Sequence, residues 1–257
     1  MSIAPQLMAK STEIAMRHYA NIDTGECKVM TKDDASPLTE ADLEVDRYLY
    51  DELTKAFPNI PVVTEERAQS HSLDVGTGMF FLVDPIDGTK EFINKRNEFT
   101  VNIALLENGK PIAGVVCAPA LNECYLGEVG KGAALLNLQT NKSTPITVRK
   151  TDNDALLVVA SRSHLTPENQ KFIDENKVAE TKCAGSSLKF CLLAKGEADV
   201  YPRFGPTMEW DTAAGHAVLL AAGGVVNNLD GTPLSYAKTE FRNPNFIAAS
   251  ANAEYKL

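Results

Sequence analysis

The chain has 257 residues, 44% of them hydrophobic, with a formal net charge of −9 and a pI near 5.0. That length supports one large domain or two packed smaller ones, while the acidic balance argues against a long footprint on DNA or RNA, which needs clustered Lys and Arg. Five cysteines (Cys27, Cys117, Cys124, Cys183, Cys191) form neither CxxC pairs nor a dense framework, so reduced thiols in a cytoplasmic protein are expected.

Ala4, Leu7, Met8, Ser11, Ile14, Ala15 and His18 recur at helical spacing, which predicts an amphipathic helix over the first twenty residues rather than a secretory leader. A second helix is predicted from about Glu40 to Phe57, with a capping box at Thr39-Glu40-Ala41-Asp42 and a stop at Pro58 and Pro61. Strands follow at Val62–Thr64, Met79–Val83, Thr100–Leu106, Ile112–Cys117 and Glu123–Gly127, with Asn108-Gly109 as a hairpin turn. After about Val148 the pattern becomes alternating α/β: a strand at Leu156–Ala160, helices at Pro167–Glu175, Ser186–Ala194 and Thr212–Ala222, and strands at Ala198–Tyr201, near Val225 and at Phe246–Ala249. The longest apolar stretch, around Ala217 to Val226, is broken by Gly223-Gly224 and is too short for a membrane span. The expected organisation is an α+β half (1–150) and an α/β half (151–257) in one compact unit, with a ligand cleft between them.

Chemistry concentrates where the apolar run Met79–Val83 ends in Asp84-Pro85-Ile86-Asp87-Gly88-Thr89. On a continuing strand Asp84 and Asp87 would face opposite sides. Pro85, which lacks an N–H, and Gly88, which accepts unusual backbone angles, predict that pairing stops and a turn brings the two together. Such a turn can be an ordinary β-turn or an Mg²⁺ cradle, since Mg²⁺ takes oxygen ligands at about 2.0–2.1 Å. Asp84, Asp87 and the Ile86 carbonyl are then the donors. Glu65-Glu66 after Val62-Val63-Thr64 is either a solvated acidic pair or a third ligand and base. Asp42 is explained by capping alone, and Asp211, immediately before a helix, can cap it with one oxygen while the other reaches a cation.

A Glu after a strand, the Asp84–Thr89 string and the Trp210-Asp211 helix start, in that order, resemble the inositol monophosphatase superfamily of metal-dependent, lithium-sensitive phosphatases. The resemblance implies a layered αβαβα sandwich. It implies Glu65, Asp84, Ile86 (by its carbonyl), Asp87 and Asp211 as ligands of two or three Mg²⁺ ions, with Asp42 and Thr89 supporting a nucleophilic water and Glu65 and Thr89 relaying its proton. Within the superfamily, Ser36–Asp42, Thr89-Lys90-Glu91-Phe92 and Glu98–Leu105 are similar to bacterial 3′(2′),5′-bisphosphate nucleotidases of the CysQ type. So are Ser161–His164, Gly185–Lys189 and Asp199–Arg203. This carry-over implies that Gly88, Thr89, His164, Ser186, Lys189, Arg203 and Asp211 bind substrate, Lys and Arg being apt for phosphate.

The implied reaction is in-line attack of water on the 3′-phosphate of adenosine 3′,5′-bisphosphate, giving AMP and phosphate. In two-metal sites the ions sit about 3.5–4 Å apart. The implied setting is sulfate assimilation, with the sulfated nucleotide as a further substrate, in a monomer that is cytoplasmic or peripheral at the membrane's inner face. An inositol-1-monophosphatase or another small phosphate-ester phosphatase is the alternative, and a non-catalytic metal- or nucleotide-binding module the remote one. The D-x-x-D-G-T spacing differs from the D-x-D-x-T of aspartyl-phosphate phosphatases, and no G-x-x-x-x-G-K-[ST] phosphate cradle occurs. Arg67 to Gly78 matches no motif, and His18, His71 and His216 lack metal-ligand spacing and are expected in surface or packing roles.

Overall fold

The computed structural model describes residues 4–33, 35–161 and 166–257. Helices α1 (Ala4–Asn21) and α2 (Glu40–Ala56) flank a short hairpin, β1 (Val29–Thr31) and β2 (Pro37–Thr39). Strands β3 (Val62–Thr64), β4 (Met79–Asp87), β5 (Thr100–Glu107), β6 (Lys110–Ala118), β7 (Glu123–Glu128), β8 (Gly132–Asn137) and β9 (Ser143–Ile146) lie side by side in chain order, and a short helix, α3 (Thr89–Ile93), follows β4. Only β3 and β4 run parallel; the other neighbours are antiparallel.

The remaining chain builds β10 (Leu156–Ser161), α4 (Pro167–Glu175), β11 (Val178–Ala184), α5 (Leu188–Ala194) and β12 (Val200–Arg203). It continues with β13 (Thr207–Met208), α6 (Ala213–Ala221), β14 (Gly224–Asn228), β15 (Arg242–Asn243) and β16 (Phe246–Ser250). A second sheet has the order β11-β10-β12-β16-β14, and β13 pairs with β15 apart from it.

Period-two alternation turns these elements into layers. On the first sheet Phe81, Val83, Ile103 and Val115 pack with Leu7, Ile14, Val45 and Leu49 of α1 and α2. Their neighbours Phe80, Leu82, Ala104 and Val116 pack on the other side with Leu188, Phe190, Ala214 and Val218 of α5 and α6. That helical layer also packs against Val159, Tyr201, Phe246 and Ala248 of the second sheet, whose opposite face, Val158, Val200, Ile247 and Ala249, meets Phe172 of α4. The stack is αβαβα, as expected.

Three sequence expectations change. Pro85 does not stop the strand: β4 pairs with β5 through Asp87, and Asp84 faces Asn102 while Asp87 faces Thr100. Three steps on β4 match two on β5, so an extra residue is bulged out, a position where proline is tolerated. Asn102 and Thr100, two apart, share a face, and the bulge therefore puts Asp84 and Asp87 on one face without a turn. Second, the thiols are not all free, because the β6–β7 register sets Cys117 opposite Cys124 and a disulfide joins them; Cys27, Cys183 and Cys191 remain thiols. An odd count without CxxC spacing carries no hint of a register. Third, β8, β9 and β11 lack apolar alternation: β11 is a polar, largely exposed edge, a common way to blunt an open sheet edge.

Among the described residues no helix is long and apolar enough to cross a membrane. Helix α6 is apolar all round and pressed onto β6 and β7 at glycines. A Cβ at Gly114 would lie 2.3 Å from the Ala214 carbonyl oxygen, and one at Gly127 2.5 Å from the Val218 Cα. Only the cap residue Thr212 separates Asp211 from α6, so this approach holds the Asp211 backbone close to the first sheet. Gly114→Ala is expected to cost about 2–3 kcal/mol through overpacking, read as a lowered urea midpoint; an unchanged midpoint would show that α6 can retreat.

Candidate active site

A cleft of about 280 Å³ opens between the two sheets and is lined by Glu65, Asp87, Gly88 and Thr89 from one side and Ser161, Ser186, Lys189, Arg203 and Asp211 from the other. Carboxylate oxygens of Glu65, Asp84 and Asp211 lie within 4.8 Å of one another, with Asp84 buried and the other two half-buried. Asp84 Oδ1 is buried with no hydrogen-bond donor, an arrangement that calls for a cation. Burial, then repulsion from Glu65, Asp87 and Asp211, pushes Asp84 well above the usual carboxylate range. Asp211 is raised likewise by burial, Asp87 and Glu65. Burial also raises Asp87, against the pull of Lys189 and the Ser187 hydroxyl. Hard oxygen donors crowded in this way suit a divalent cation such as Mg²⁺.

Each carboxylate is held by its own element. Gly88, in the left-handed region at φ 85°, turns the chain from β4 into α3. Thr89 Oγ1 lies 3.2 Å from Asp42 Oδ1 and 3.3 Å from the Ile86 carbonyl oxygen, its two candidate acceptors. Asp42 does cap α2: its Oδ2 accepts from Thr39 N at 2.8 Å and Thr39 Oγ1 at 2.5 Å. Capping and contact with Thr89 thus use different oxygens of one carboxylate. Burial lifts Asp42 to about 6, although the Thr39 hydrogen bonds oppose it.

Asp211 does not cap α6. Thr212 occupies the cap position without a side-chain bond, and Asp211 Oδ2 instead accepts from Met208 N at 2.9 Å. This loop-closing bond aims the carboxylate back into the cleft.

Across the cleft, Lys189 is buried on α5 and donates to the Ser186 carbonyl oxygen at 2.6 Å. Burial lowers its ammonium to about 8 while Asp87 resists the shift. Ser186, at φ 45°, donates its hydroxyl to the Glu98 carbonyl oxygen at 2.6 Å. Arg203 donates through Nη2 to the Pro206 carbonyl oxygen at 2.9 Å.

The inositol monophosphatase family profile matches residues 1–256. The chain belongs to that family. It is similar to the 3′(2′),5′-bisphosphate nucleotidase CysQ of Escherichia coli K12, 43% identical over 242 residues, which span 94% of this chain and 96% of the relative. The relative of the same name from Haemophilus influenzae is 33% identical over 235 residues, 90% and 87% of the two chains. The solved structure of CysQ from Bacteroides thetaiotaomicron superposes with a TM-score of 0.80 at 36% identity, covering 96% of this chain and 97% of that one. A Thermotoga maritima IMPase gives 0.79 at 26% identity, covering 97% and 91%. Family members are generally metal-dependent, and the acidic cluster is where this chain can hold a metal.

The structure brings Glu65, Asp84, Ile86, Asp87, Gly88, Thr89, Asp42, Asp211, Ser186, Lys189 and Arg203 to this cleft or its floor. His164 lies outside the described residues. Of the other histidines, His18 contacts Glu44 at 2.7 Å and His216 is buried against the Tyr236 hydroxyl at 2.9 Å. His71 does more than pack: its Nε2 lies 2.8 Å from the Thr64 carbonyl oxygen and its ring stacks on Trp210 at 4.8 Å. Through Thr64 and Trp210 the motif-free segment after Glu66 braces the neighbours of both Glu65 and Asp211.

Lys32 carries no signal of a site role in its local sequence. Its Nζ lies 2.6 Å from Glu65 and 2.7 Å from Glu66; burial pulls the ammonium down, but the two carboxylates outweigh it and hold it above the ordinary lysine value. Burial and Glu65 raise Glu66 to about 7 despite Lys32. Ser187 and Asn102 were also missed. A polar Asn inside the apolar run of β5 was the available signal.

The raised carboxylates give a stability prediction whose sign is fixed by linkage. A raised folded value means the metal-free native state binds more protons than the unfolded chain, so the stabilisation is full at low pH and is lost as pH rises through the folded value. Each unit of elevation corresponds to about 1.4 kcal/mol. In chelator at pH 8, Asp84→Asn is therefore expected to raise the urea midpoint and flatten its decline as pH rises. It is also expected to lose the stabilisation that Mg²⁺ gives the parent protein; a lowered midpoint in chelator would overturn the repulsion account.

Proposed function

We propose that this chain is a metal-dependent 3′(2′),5′-bisphosphate nucleotidase that hydrolyses adenosine 3′,5′-bisphosphate to AMP and phosphate. The observation that carries the reading is one cleft lined by both the acidic residues Glu65, Asp87 and Asp211 and the cations Lys189 and Arg203. A substrate with two phosphates can meet both kinds of group, one phosphate at the metal-holding carboxylates and the other at the cations. The names of relatives at 33–46% identity support the same activity.

In this reading Glu65, Asp84, Asp87, Asp211 and the Ile86 carbonyl hold Mg²⁺, in two or three ions. When bound, Mg²⁺ supplies positive charge to the phosphoryl oxygens and makes a water more acidic. The protein residues position the reactants. Thr89 donates its proton to Asp42 at 3.2 Å, which leaves its oxygen lone pairs free to accept from the attacking water, and Glu65 takes or passes on the water's proton. Asp42 remains bound to the α2 cap, so Thr89 is tied to a buried helix end rather than to a mobile side chain. Lys189 and Arg203, with Ser186, hold the nucleotide. Water is the nucleophile, and no phosphoenzyme forms.

Phosphate release from adenosine 3′,5′-bisphosphate is expected to require Mg²⁺ and to be inhibited by Li⁺. Arg203→Ala is expected to raise KM for this substrate about 10- to 100-fold, the worth of a charged hydrogen bond, without a matching change for inositol 1-phosphate. Turnover of inositol 1-phosphate alone would assign the sister activity, and no turnover of either with Mg²⁺ would overturn the enzymatic reading.

A further inference from the structure

The hydroxyl of Ser187 sits at the contact between the two sheets' contributions to the cleft. Its Oγ is 2.8 Å from Asp87 Oδ2, 2.7 Å from the Asp211 carbonyl oxygen and 2.9 Å from Asn102 Nδ2. Ser187 and Asn102 are 1% and 0% exposed, so water does not compete for these groups. A serine hydroxyl has one proton and two lone pairs. The Asn102 amide must present its N–H₂ here, because Asp87 Oδ2 lies 3.4 Å from the same nitrogen and accepts only. Asn102 therefore donates to the serine oxygen, and the serine proton has two possible acceptors. The ionised carboxylate is the stronger one, which gives a directed chain from Asn102 on β5, through Ser187 before α5, to Asp87 on β4.

This chain has two geometric consequences. Asp87 Oδ2 is held by the serine hydroxyl, which fixes the direction of that carboxylate. The Asp211 carbonyl oxygen, 2.7 Å from the same Oγ, competes for that one proton, so the hydroxyl sits between the Asp87 bulge and the Asp211 loop, which share no secondary structure. Groups that orient a ligand in this way typically change metal affinity by about 10- to 100-fold.

We propose that Ser187, oriented by Asn102, is a positioning residue that sets the metal affinity of the cleft by aligning Asp87 with Asp211. The proposal rests on the reading of Asp87 and Asp211 as metal ligands. The test is calorimetric titration of the chelator-treated full chain with Mn²⁺, using Ser187→Ala, Asn102→Ala, their double variant, Ser187→Thr and Asp87→Asn. Ser187→Ala is expected to weaken Mn²⁺ binding about tenfold and Ser187→Thr, which keeps the hydroxyl, to restore it. Asn102→Ala is expected to weaken binding in the parent but not in the Ser187→Ala background, a coupling that a packing role would not produce. Should Ser187→Ala fail to fold, the comparison of Asn102→Ala with Ser187→Thr decides. Loss of binding in Asp87→Asn with parent affinity in Ser187→Ala or Asn102→Ala overturns the positioning role alone. Parent affinity in Asp87→Asn overturns the ligand reading, and this proposal with it.

Discussion

Mutual repulsion among buried carboxylates is the constraint around which this molecule is arranged. Asp84, Asp87 and Asp211 are all pushed toward protonation by burial, and in Asp84 and Asp211 neighbouring acids add to the effect. Such a cluster persists only if the surrounding structure is rigid enough to resist its separation. Two devices supply that rigidity. The β4 bulge puts Asp84 and Asp87 on one face of a seven-stranded sheet, and the glycines under α6 let its backbone press close enough to hold Asp211 opposite them.

Protein cations answer the charge only at its edges. Lys32 neutralises Glu65 and Glu66 from the β1–β2 side, and Lys189 moderates Asp87 from α5. Neither donates to Asp84 Oδ1. The arrangement leaves a buried oxygen of the acidic cluster without a donor from the protein. It also explains why buried polar residues that touch no ligand, such as Asn102, Ser187 and the Thr39–Asp42 pair, surround the cleft: each fixes the direction of a carboxylate or of the Thr89 hydroxyl beside it.

The elements that were legible before the fold was known are those with strong local signals. The Thr39–Asp42 capping box and the α4 bounds Pro167–Glu175 needed only nearest neighbours. The Asp84–Thr89 string and Trp210-Asp211 were legible as motifs. Local reasoning misread Pro85, because whether a proline ends a strand or sits in a bulge depends on the partner strand. It left capping open for Asp211 because helix starts usually use a cap, whereas Met208 N claims one of its oxygens here. It had no means to see Lys32 beside Glu65, the Cys117–Cys124 bond, or His71 against Trp210, since each pairing is made by register or packing between distant segments.

Composition, periodicity and motif order sufficed for the layered fold class and the family, since hydrophobic alternation and short-range backbone preferences act within a few positions of the chain. Tertiary structure alone decided that Lys32 lies beside Glu65, that Lys189 lies near Asp87, and that the Ser187 hydroxyl sits between Asp87 and the Asp211 backbone. Those outcomes depend on hydrogen bonds and repulsions between groups tens of residues apart in sequence, and their directions exist only once the two sheets and the helices between them have packed.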